Sequence, residues 1–427
     1  MHIVPPPRAG TASPTVSSAV RVPRPPRRTR SPRGRFATPA AAYFAATWGL
    51  VIALAATSGP ALAVAAVALA AYTTLPIVLF ARRGGEWRRY PTAAFRLGVV
   101  RPALYGQLLL PVVAGAGALG FLAGLPFGAA AALGRWTALG ALVGGLAVAA
   151  AGWAGSRRLR VREIEARVPG LPPEFDGVRV AQLSDLHAGP QTSRRFLERV
   201  TRTVAALRPD LLVLTGDLVD DRAEDAPAFA TWLRALETAA RPSLGTAVVP
   251  GNHDVYAGWP AVAAALRAGT SARVLVNDAV LLHRGGAALA LVGTGDPAGG
   301  HARGTAAPDV ARAMAHVPAG VPALVLAHNP VLWPSLARAG AALTLSGHTH
   351  WGQLALPRRG WSLASRFNAH AMAGYQEGDA LLYVHPGTGF WGIPFRLGAF
   401  PEVAVVTLRR AAEGAAAQLA VGPARAA

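Results

Sequence analysis

The chain contains no cysteine among its 427 residues, and all of its 42 basic residues are arginine. The absence of cysteine excludes disulfides and thiol chemistry, and it leaves the redox compartment undetermined. Residues 1–162 contain 19 arginines and one acidic residue, Glu86. Residues 163–427 carry 23 arginines against 21 acidic residues, so the net charge of +20 arises almost wholly in the N-terminal part.

This uneven charge argues against a nucleic-acid-binding protein. A phosphate-binding face would place its basic residues on the folded domain, whereas here the excess lies beside long apolar segments. Such a distribution is typical of membrane topology signals. We therefore expect membrane lipids, and no nucleic acid, as partners of the N-terminal part.

Four apolar segments predict a membrane domain over residues 37–156. They cover 40–57, 61–81, 103–125 and 137–155, and none contains an acidic residue or an arginine. Each is close to the ~20 residues that cross a bilayer core. Buried helices of a soluble domain are the alternative. The preceding residues, 1–36, are rich in proline and arginine and are predicted to be a disordered tail.

The arginines between these segments predict the orientation. Six arginines lie in the second connection, from Arg82 to Arg101, and four follow the last segment, whereas the first connection has none. Because arginine-rich connections remain in the cytoplasm, both termini and the domain after residue 162 are predicted to be cytoplasmic in a multi-pass protein of the cell membrane. The pair Arg27-Arg28 leaves twin-arginine export as an alternative.

Five short polar motifs follow, each directly after an apolar run that predicts a buried strand. They are Ser184-Asp185-Leu186-His187, Gly216-Asp217-Leu218, Gly251-Asn252-His253-Asp254, Ala327-His328-Asn329-Pro330 and Gly347-His348-Thr349-His350. Strand ends are where open α/β sheets place their sites. Asp, His and Asn are the ligands that hold two divalent ions in hydrolytic phosphate enzymes. Taken singly, each Asp or Asn could be a cap or turn residue and each His a structural imidazole, but seven in one ordered set favour a metal centre.

Together the motifs resemble the calcineurin-like metallophosphoesterase superfamily, and in particular its membrane-attached bacterial branch, which includes lipid-related phosphodiesterases. The resemblance covers roughly residues 163–408. The sequence departs from the usual pattern of that branch at two positions, Trp351 directly after the last motif and His385 directly after Tyr383-Val384. It implies an α/β fold, with two mixed sheets in a four-layer α/β/β/α sandwich over residues 163–410. An all-α transmembrane region of about four helices would precede this domain, and residues 411–427 would form a C-terminal tail.

The resemblance also implies the roles of the motif residues. The first ion would be held by Asp185, His187 and His350, the second by Asn252, His328 and His348, and Asp217 would bridge the two divalent ions. Mn, Fe, Zn and Co all suit such ligands. A water activated by the metals would attack phosphorus in line. His253 would protonate the leaving group or contact the phosphate.

Asp254 would orient His253 and raise its pKa, unless it only caps the loop. Asp220 and Asp221 are assigned to a solvated loop, and Trp351, Phe390 and Trp391 are candidates for the mouth of the site.

The sequence thus predicts a membrane-anchored, dinuclear-metal-dependent phosphoesterase that hydrolyses phosphodiester, pyrophosphate or monoester bonds. The nearness of the domain to the last apolar segment favours a lipid-linked phosphate ester as substrate. Two alternatives stay open. A non-catalytic metal-binding membrane sensor or binding module could have the same fold, and a transporter would need polar residues within its spans.

Overall fold

The computed structural model describes residues 33–82, 92–301 and 307–427. Four long helices precede the α/β domain: α1 (Arg33–Ala56), α2 (Pro60–Arg82), α3 (Arg101–Gly124) and α4 (Ala130–Gly155). Short helical turns, Ala93–Phe95 and Arg96–Val100, lead into α3. Residues 1–32 of the predicted tail lie outside the described residues. Residues 33–36, the last four of that tail, belong to α1.

Three helices within the described residues are long and apolar enough to cross a membrane. They are Pro60–Leu79, Gly98–Phe127 and Ala130–Gly155, and they contain the second, third and fourth predicted segments. The first segment falls in α1, whose described apolar part is Ala42–Ala56. The number of four spans and the orientation of the chain therefore stay predictions.

Fifteen strands are present in the described residues, and most form two mixed sheets. They are β1 (Arg160–Val168), β2 (Arg179–Leu183), β3 (Leu211–Thr215), β4 (Gly245–Val249), β5 (Arg273–Val274), β6 (Asp278–Arg284), β7 (Ala287–Gly293), β8 (Ala323–Leu326), β9 (Ala341–Ser346), β10 (Ala355–Leu356), β11 (Trp361–Ser362), β12 (Ala373–Glu377), β13 (Ala380–Val384), β14 (Glu402–Arg410) and β15 (Gln418–Ala426). The first sheet has the order β15-β1-β14-β2-β3-β4-β5, and the second has the order β12-β13-β9-β8-β7-β6. Strands β10 and β11 form a separate hairpin.

Five helices cover the outer faces of the two sheets. They are α5 (Arg194–Leu207), α6 (Ala226–Ala240), α7 (Asn252–Gly269), α8 (Val310–Met314) and α9 (Trp333–Arg338). One apolar cluster packs α5, α6 and α7 on the first sheet, a second packs α8 and α9 on the other sheet, and a third fills the space between the sheets. Because the hydrophobic effect favours covering both faces of each sheet, the result is the α/β/β/α sandwich, and the predicted fold class is confirmed.

The boundary predicted at residue 410 is wrong, since the domain continues through β15. This strand pairs antiparallel with β1 and forms the edge of the first sheet. Gly422 and Pro423 within it are turn signals in a sequence, and they hide the strand. Proline is tolerated here because an edge strand leaves one row of amides unpaired.

Parallel pairing brings the five motifs to one place. Strands β2, β3 and β4 are parallel neighbours in the first sheet, and β8 and β9 are parallel neighbours in the second. Their carboxyl ends therefore lie at the same edge of the two packed sheets. Each motif leaves its strand within a few residues of that edge, so the side chains meet there.

Candidate metal centre

The backbone is strained where the motifs leave their strands. Five of the seven predicted ligands have φ in the left-handed region: Asp185 (51°), His187 (44°), Asp217 (50°), His348 (71°) and His350 (49°). This conformation costs an L-residue roughly 1–2 kcal/mol. Strain of this kind persists only where the surrounding structure imposes it, and it is frequent at functional sites.

Glycines let the motif loops approach one another closely. A Cβ on Gly251 would lie 2.2 Å from Asp217 Oδ1, and a Cβ on Gly347 would lie 1.9 Å from Ser184 Oγ and 2.3 Å from Asp185 Oδ2. Neither position has room for a larger residue. The close contact of these loops is what brings carboxylates from the first sheet against ligands from the second.

The first group of ligand atoms comes from Asp185, His187, Asp217 and His350, all within 4.8 Å of one another. His187 Nε2 lies 3.0 Å from His350 Nε2 and 3.6 Å from Asp217 Oδ2, and His350 Nε2 lies 3.4 Å from Asp185 Oδ1. A metal–ligand bond of about 2.1 Å separates neighbouring ligands by about 3.0–3.4 Å. The first group therefore fits one divalent ion.

A second group lies on the other side of Asp217. Asn252 Oδ1 is 2.9 Å from His348 Nδ1 and 3.2 Å from His328 Nε2. His328 Nε2 is in turn 3.4 Å from Asp217 Oδ2. The same carboxylate oxygen thus borders both groups, which is the position of a bridging ligand. The structure brings together all seven residues predicted as ligands.

The charges of the centre suit metal binding. Burial opposes ionisation of Asp217, but the His328 and His187 imidazoles hold its pKa well below the usual range. Burial raises the pKa of Asp185. Burial and the neighbouring His328 lower the pKa of His348 to about 4, and burial and Arg396 hold the pKa of His350 well below its usual value. Neutral imidazoles present a lone pair to a metal. His328 differs, because although burial opposes it, the charges of Asp217 and Asp185 raise its pKa well above the ordinary value.

Arg396 supports the centre, and sequence reasoning missed it. Its side chain is fully buried, and one guanidinium nitrogen donates to His350 Nδ1 over 2.9 Å. Further hydrogen bonds run to the backbone carbonyls of Pro386, Gly389 and Ala399. Burial lowers the pKa of Arg396 to about 10. The sequence offers no signal for this role, because Arg396 stands alone between Phe395 and Leu397.

His253 lies beside the centre without joining either ligand group. Its backbone amide donates to Asp217 Oδ1 over 2.8 Å, and its Nδ1 donates to the carbonyl of Asp220 over 2.8 Å. The carboxylates of Asp221 and Asp220 lie 3.6 Å and 3.8 Å from Nδ1. Although burial opposes it, the hydrogen bond with Asp221 and the charges of Asp217 and Asp220 raise the pKa of His253 to about 9.

The role predicted for Asp254 in orienting His253 is wrong, and the alternative, a loop cap, is what the structure has. The buried Asp254 carboxylate accepts backbone hydrogen bonds from Gly251 (2.9 Å), Leu218 (3.0 Å) and Val219 (3.0 Å). Burial and the charge of Asp217 raise its pKa to about 6. Asp220 and Asp221, which the sequence assigned to a solvated loop, are the carboxylates beside the imidazole.

Asp220 also contacts a ligand, since its Oδ1 lies 3.3 Å from His187 Nδ1. A carboxylate behind a ligating imidazole fixes the ring orientation and its tautomer. Asp217 and Asp220 are three residues apart, a spacing that could have indicated the contact.

One cavity of about 370 Å³ opens on the centre and is lined by Asp217, Asn252, His253 and His348. Trp391 stands at its rim with 54% of its surface exposed, as predicted for the mouth. Trp351 is not at the mouth: it is 1% exposed, and its Nε1 donates to the carbonyl of Val384 over 2.9 Å. That prediction is wrong. Phe390 lines a different cavity.

Known proteins with similar sequences place this geometry in context. The sequence model of calcineurin-like phosphoesterases matches residues 178–352. An uncharacterized metallophosphoesterase of Campylobacter jejuni is 30% identical over 250 residues, which cover 58% of this chain and 63% of that protein. A transmembrane protein with metallophosphoesterase domain from Bos taurus is 32% identical over 262 residues, which cover 59% of this chain and 57% of that protein.

A further relative is the UDP-2,3-diacylglucosamine pyrophosphatase LpxG of Chlamydia trachomatis. It is 26% identical over 290 residues, which cover 55% of this chain and 84% of that protein. The chain spans about three fifths of the length of the first two relatives.

Proposed function

We propose that the protein is a membrane-anchored phosphoesterase that uses two divalent ions, since the sequence model of calcineurin-like phosphoesterases matches residues 178–352. The observation that carries this proposal is the position of the Asp217 carboxylate. Its Oδ2 lies 3.6 Å from His187 Nε2 on one side and 3.4 Å from His328 Nε2 on the other. One carboxylate shared by two sets of ligands is the arrangement expected of a dinuclear centre.

Each ion would have its own ligands in addition to Asp217. Asp185, His187 and His350 would hold the first, and Asn252, His328 and His348 would hold the second. This mixture of oxygen and imidazole ligands accepts Mn, Fe, Zn or Co. When bound, such a pair supplies Lewis acidity toward the phosphate and an activated water that attacks phosphorus.

His253 would donate a proton to the leaving group. Since the carbonyl of Asp220 can only accept, His253 Nδ1 is the donor of that hydrogen bond, which leaves Nε2 to exchange a proton with the substrate. Asp221 and Asp220 favour the protonated imidazole. Asp254 supports this arrangement indirectly, because it holds the loop that carries Asp217.

The location that we propose is the cell membrane, with a multi-pass N-terminal part and a cytoplasmic catalytic domain. Helix α4 ends at Gly155 and β1 begins at Arg160, so only four residues separate them. This short link keeps the metal centre at the membrane surface, where lipid head groups reach a high effective concentration. The similarity to a transmembrane protein with metallophosphoesterase domain supports this location.

The substrate that we propose is a lipid-linked phosphodiester, pyrophosphate or monoester. Apolar side chains surround the cavity over the metal centre: Phe367 is 83% exposed, Trp391 54% and Leu363 42%. Exposed apolar groups at a rim mark a contact with lipid or another apolar partner. The similarity to a UDP-2,3-diacylglucosamine pyrophosphatase supports a lipid-linked substrate.

The test measures metal content and turnover in the same full-length protein in detergent. The wild-type protein should hold two divalent ions and hydrolyse bis(4-nitrophenyl) phosphate, and a chelator should abolish the reaction. Asp217→Asn should lose both metal and turnover, whereas Asp278→Asn, at an exposed strand end, should retain both. Full turnover of the chelated protein, or of the Asp217 variant, would refute the proposal. A wild-type protein that binds metal but hydrolyses no phosphate ester would support the sensor alternative.

A further inference from the structure

A second cavity lies between the membrane helices and the catalytic domain. It has a volume of about 320 Å³, and we call it the juxtamembrane cavity. Its lining includes Arg101 from the first turn of α3 and Trp153 and Arg157 from the end of α4, together with Phe390. Its lining also includes His187 and Asp220, so it reaches the candidate metal centre at His187.

The walls of the juxtamembrane cavity are held in place by close packing. The amide of Arg396 donates to the carbonyl of Gly152 over 2.9 Å, and the Tyr105 hydroxyl donates to the carbonyl of Pro394 over 3.0 Å. A Cβ on Gly152 would lie 2.2 Å from the Phe395 ring, and a Cβ on Gly155 would lie 2.0 Å from the Arg396 carbonyl oxygen. The helices thus dock directly on the segment that carries Arg396, and the cavity is part of a packed interface.

The cavity combines positive charge with apolar surface. The Arg157 guanidinium stacks 3.4 Å above the Trp153 ring, and it has no ion-pair partner within the part of the chain that the structure describes. Arg101 adds a second guanidinium. Guanidinium groups bind phosphate oxygens in a bidentate manner. The rings of Trp153, Phe196 and Phe390 supply an apolar lining beside them.

Its position relative to the predicted spans indicates where a ligand would come from. Arg101 lies near the beginning of the apolar helix Gly98–Phe127, and Arg157 lies two residues after the helix Ala130–Gly155. Tryptophan and arginine at the ends of spans lie at the level of the lipid head groups. The cavity would therefore adjoin the polar surface of the bilayer.

We propose that the juxtamembrane cavity binds the head group of an anionic phospholipid and presents its phosphoester to the metal centre from the membrane side. This inference rests on the proposed function. Arg101 and Arg157 bind the anionic head group, and the aromatic lining contacts the start of the acyl chains.

Binding can be tested in full-length protein that has been treated with a chelator, which separates the cavity from catalysis. The probe is phosphatidic acid in detergent micelles, with phosphatidylcholine and inorganic phosphate as comparisons, and native mass spectrometry measures occupancy. We expect phosphatidic acid to bind in preference to both. Arg157→Gln should weaken its binding about tenfold, as expected for the loss of one charge-assisted contact. Arg158→Gln, an exposed neighbour outside the cavity, is the matched control and should bind as the wild type.

A second measurement compares hydrolysis of a fluorescent phosphatidic acid in phosphatidylcholine vesicles with hydrolysis of bis(4-nitrophenyl) phosphate. Gln191→Trp, which fills the cavity from its rim, should lower the ratio of lipid to soluble activity, as should Arg157→Gln. Equal binding of phosphatidic acid by the Arg157 and Arg158 variants, with an unchanged activity ratio, would overturn the inference even if the soluble diester is hydrolysed. If the metal-loaded wild-type protein hydrolyses neither phosphatidic acid nor bis(4-nitrophenyl) phosphate, the result instead contradicts the proposed function.

Discussion

The most informative substitution is Asp254→Ala, because it distinguishes two possible roles of Asp254. Asp254 either caps the loop that carries Asp217 or orients His253. The buried Asp254 carboxylate accepts hydrogen bonds from three backbone amides, at distances from 2.9 to 3.0 Å. Two of these amides, those of Leu218 and Val219, directly follow Asp217. Removal of the carboxylate leaves three buried donors without a partner, and it frees the loop that positions the bridging ligand.

The expected magnitude follows from these three donors. A buried donor that loses its partner costs about 1–3 kcal/mol. The gross loss is therefore about 3–9 kcal/mol, but removal of a buried carboxylate, whose pKa burial raises to about 6, offsets part of it. We expect a net destabilisation of about 3 kcal/mol, which lowers the Tm of a domain of this size by roughly 6–12 °C.

The assay is thermal unfolding of the full-length protein in detergent, followed by tryptophan fluorescence, together with metal analysis. Asp254→Ala should lower both Tm and metal content. Asp309→Ala is the matched control, since Asp309 caps α8 through one exposed hydrogen bond to the amide of Arg312, and its loss should cost only about 1 kcal/mol. An Asp254→Ala protein with the Tm and metal content of the wild type, but with the kinetic defect of a His253 variant, would refute the assignment as a cap.

Three other predictions concern residues with different roles. The His253→Gln protein should keep its metal content, but its turnover should be ~10²–10⁴-fold lower. This loss of turnover should be smaller for 4-nitrophenyl esters, whose leaving group needs no proton. Wild-type turnover should fall as pH rises through the raised pKa of His253, and this alkaline decline should be absent in the variant; a parallel loss of metal would make His253 a ligand. Trp351→Ala should destabilise the protein by ~3–5 kcal/mol in a denaturant titration, and an unchanged midpoint would contradict its burial. A reporter fused after Ala427 should be cytoplasmic and one at Gly59 external, and an external C-terminus would contradict the proposed topology.

The convergence of the candidate ligands could be predicted because these residues are unusual for their positions. Polar groups such as Asp217 and His328 lie two residues after buried, largely apolar strands, where a buried charge would be costly without a partner. The sequence therefore shows which polar side chains converge. The order of the motifs then indicates the candidate metal ion to which each side chain belongs. Parallel neighbours in the sheets then confirm the convergence with distances of about 3 Å between ligand atoms.

Contacts between distant segments could not be predicted in the same way. Arg396 reaches His350 across 46 residues of sequence, and its neighbours in the chain are apolar. The sequence predicted the adjacent Asp254 as the partner of His253. In the structure the Asp254 carboxylate instead accepts hydrogen bonds from backbone amides. Asp220 and Asp221, more than thirty residues upstream, lie beside the imidazole instead. His253 and Asp254 are consecutive residues in the first turn of α7, and adjacent residues on a helix do not face each other.

The same segment joins the metal centre to the membrane helices. The backbone amide of Arg396 donates to the carbonyl of Gly152 in α4, and its guanidinium donates to Nδ1 of His350, both over 2.9 Å. A shift of α4 would therefore move the group that orients a metal ligand. Close contacts at Gly152 and Gly155 leave no space in which such a shift could be absorbed. Since packed interiors transmit strain, the helices support the geometry of the centre. The juxtamembrane cavity lies in this interface, so a ligand bound there would contact both the membrane helices and the wall of the metal centre.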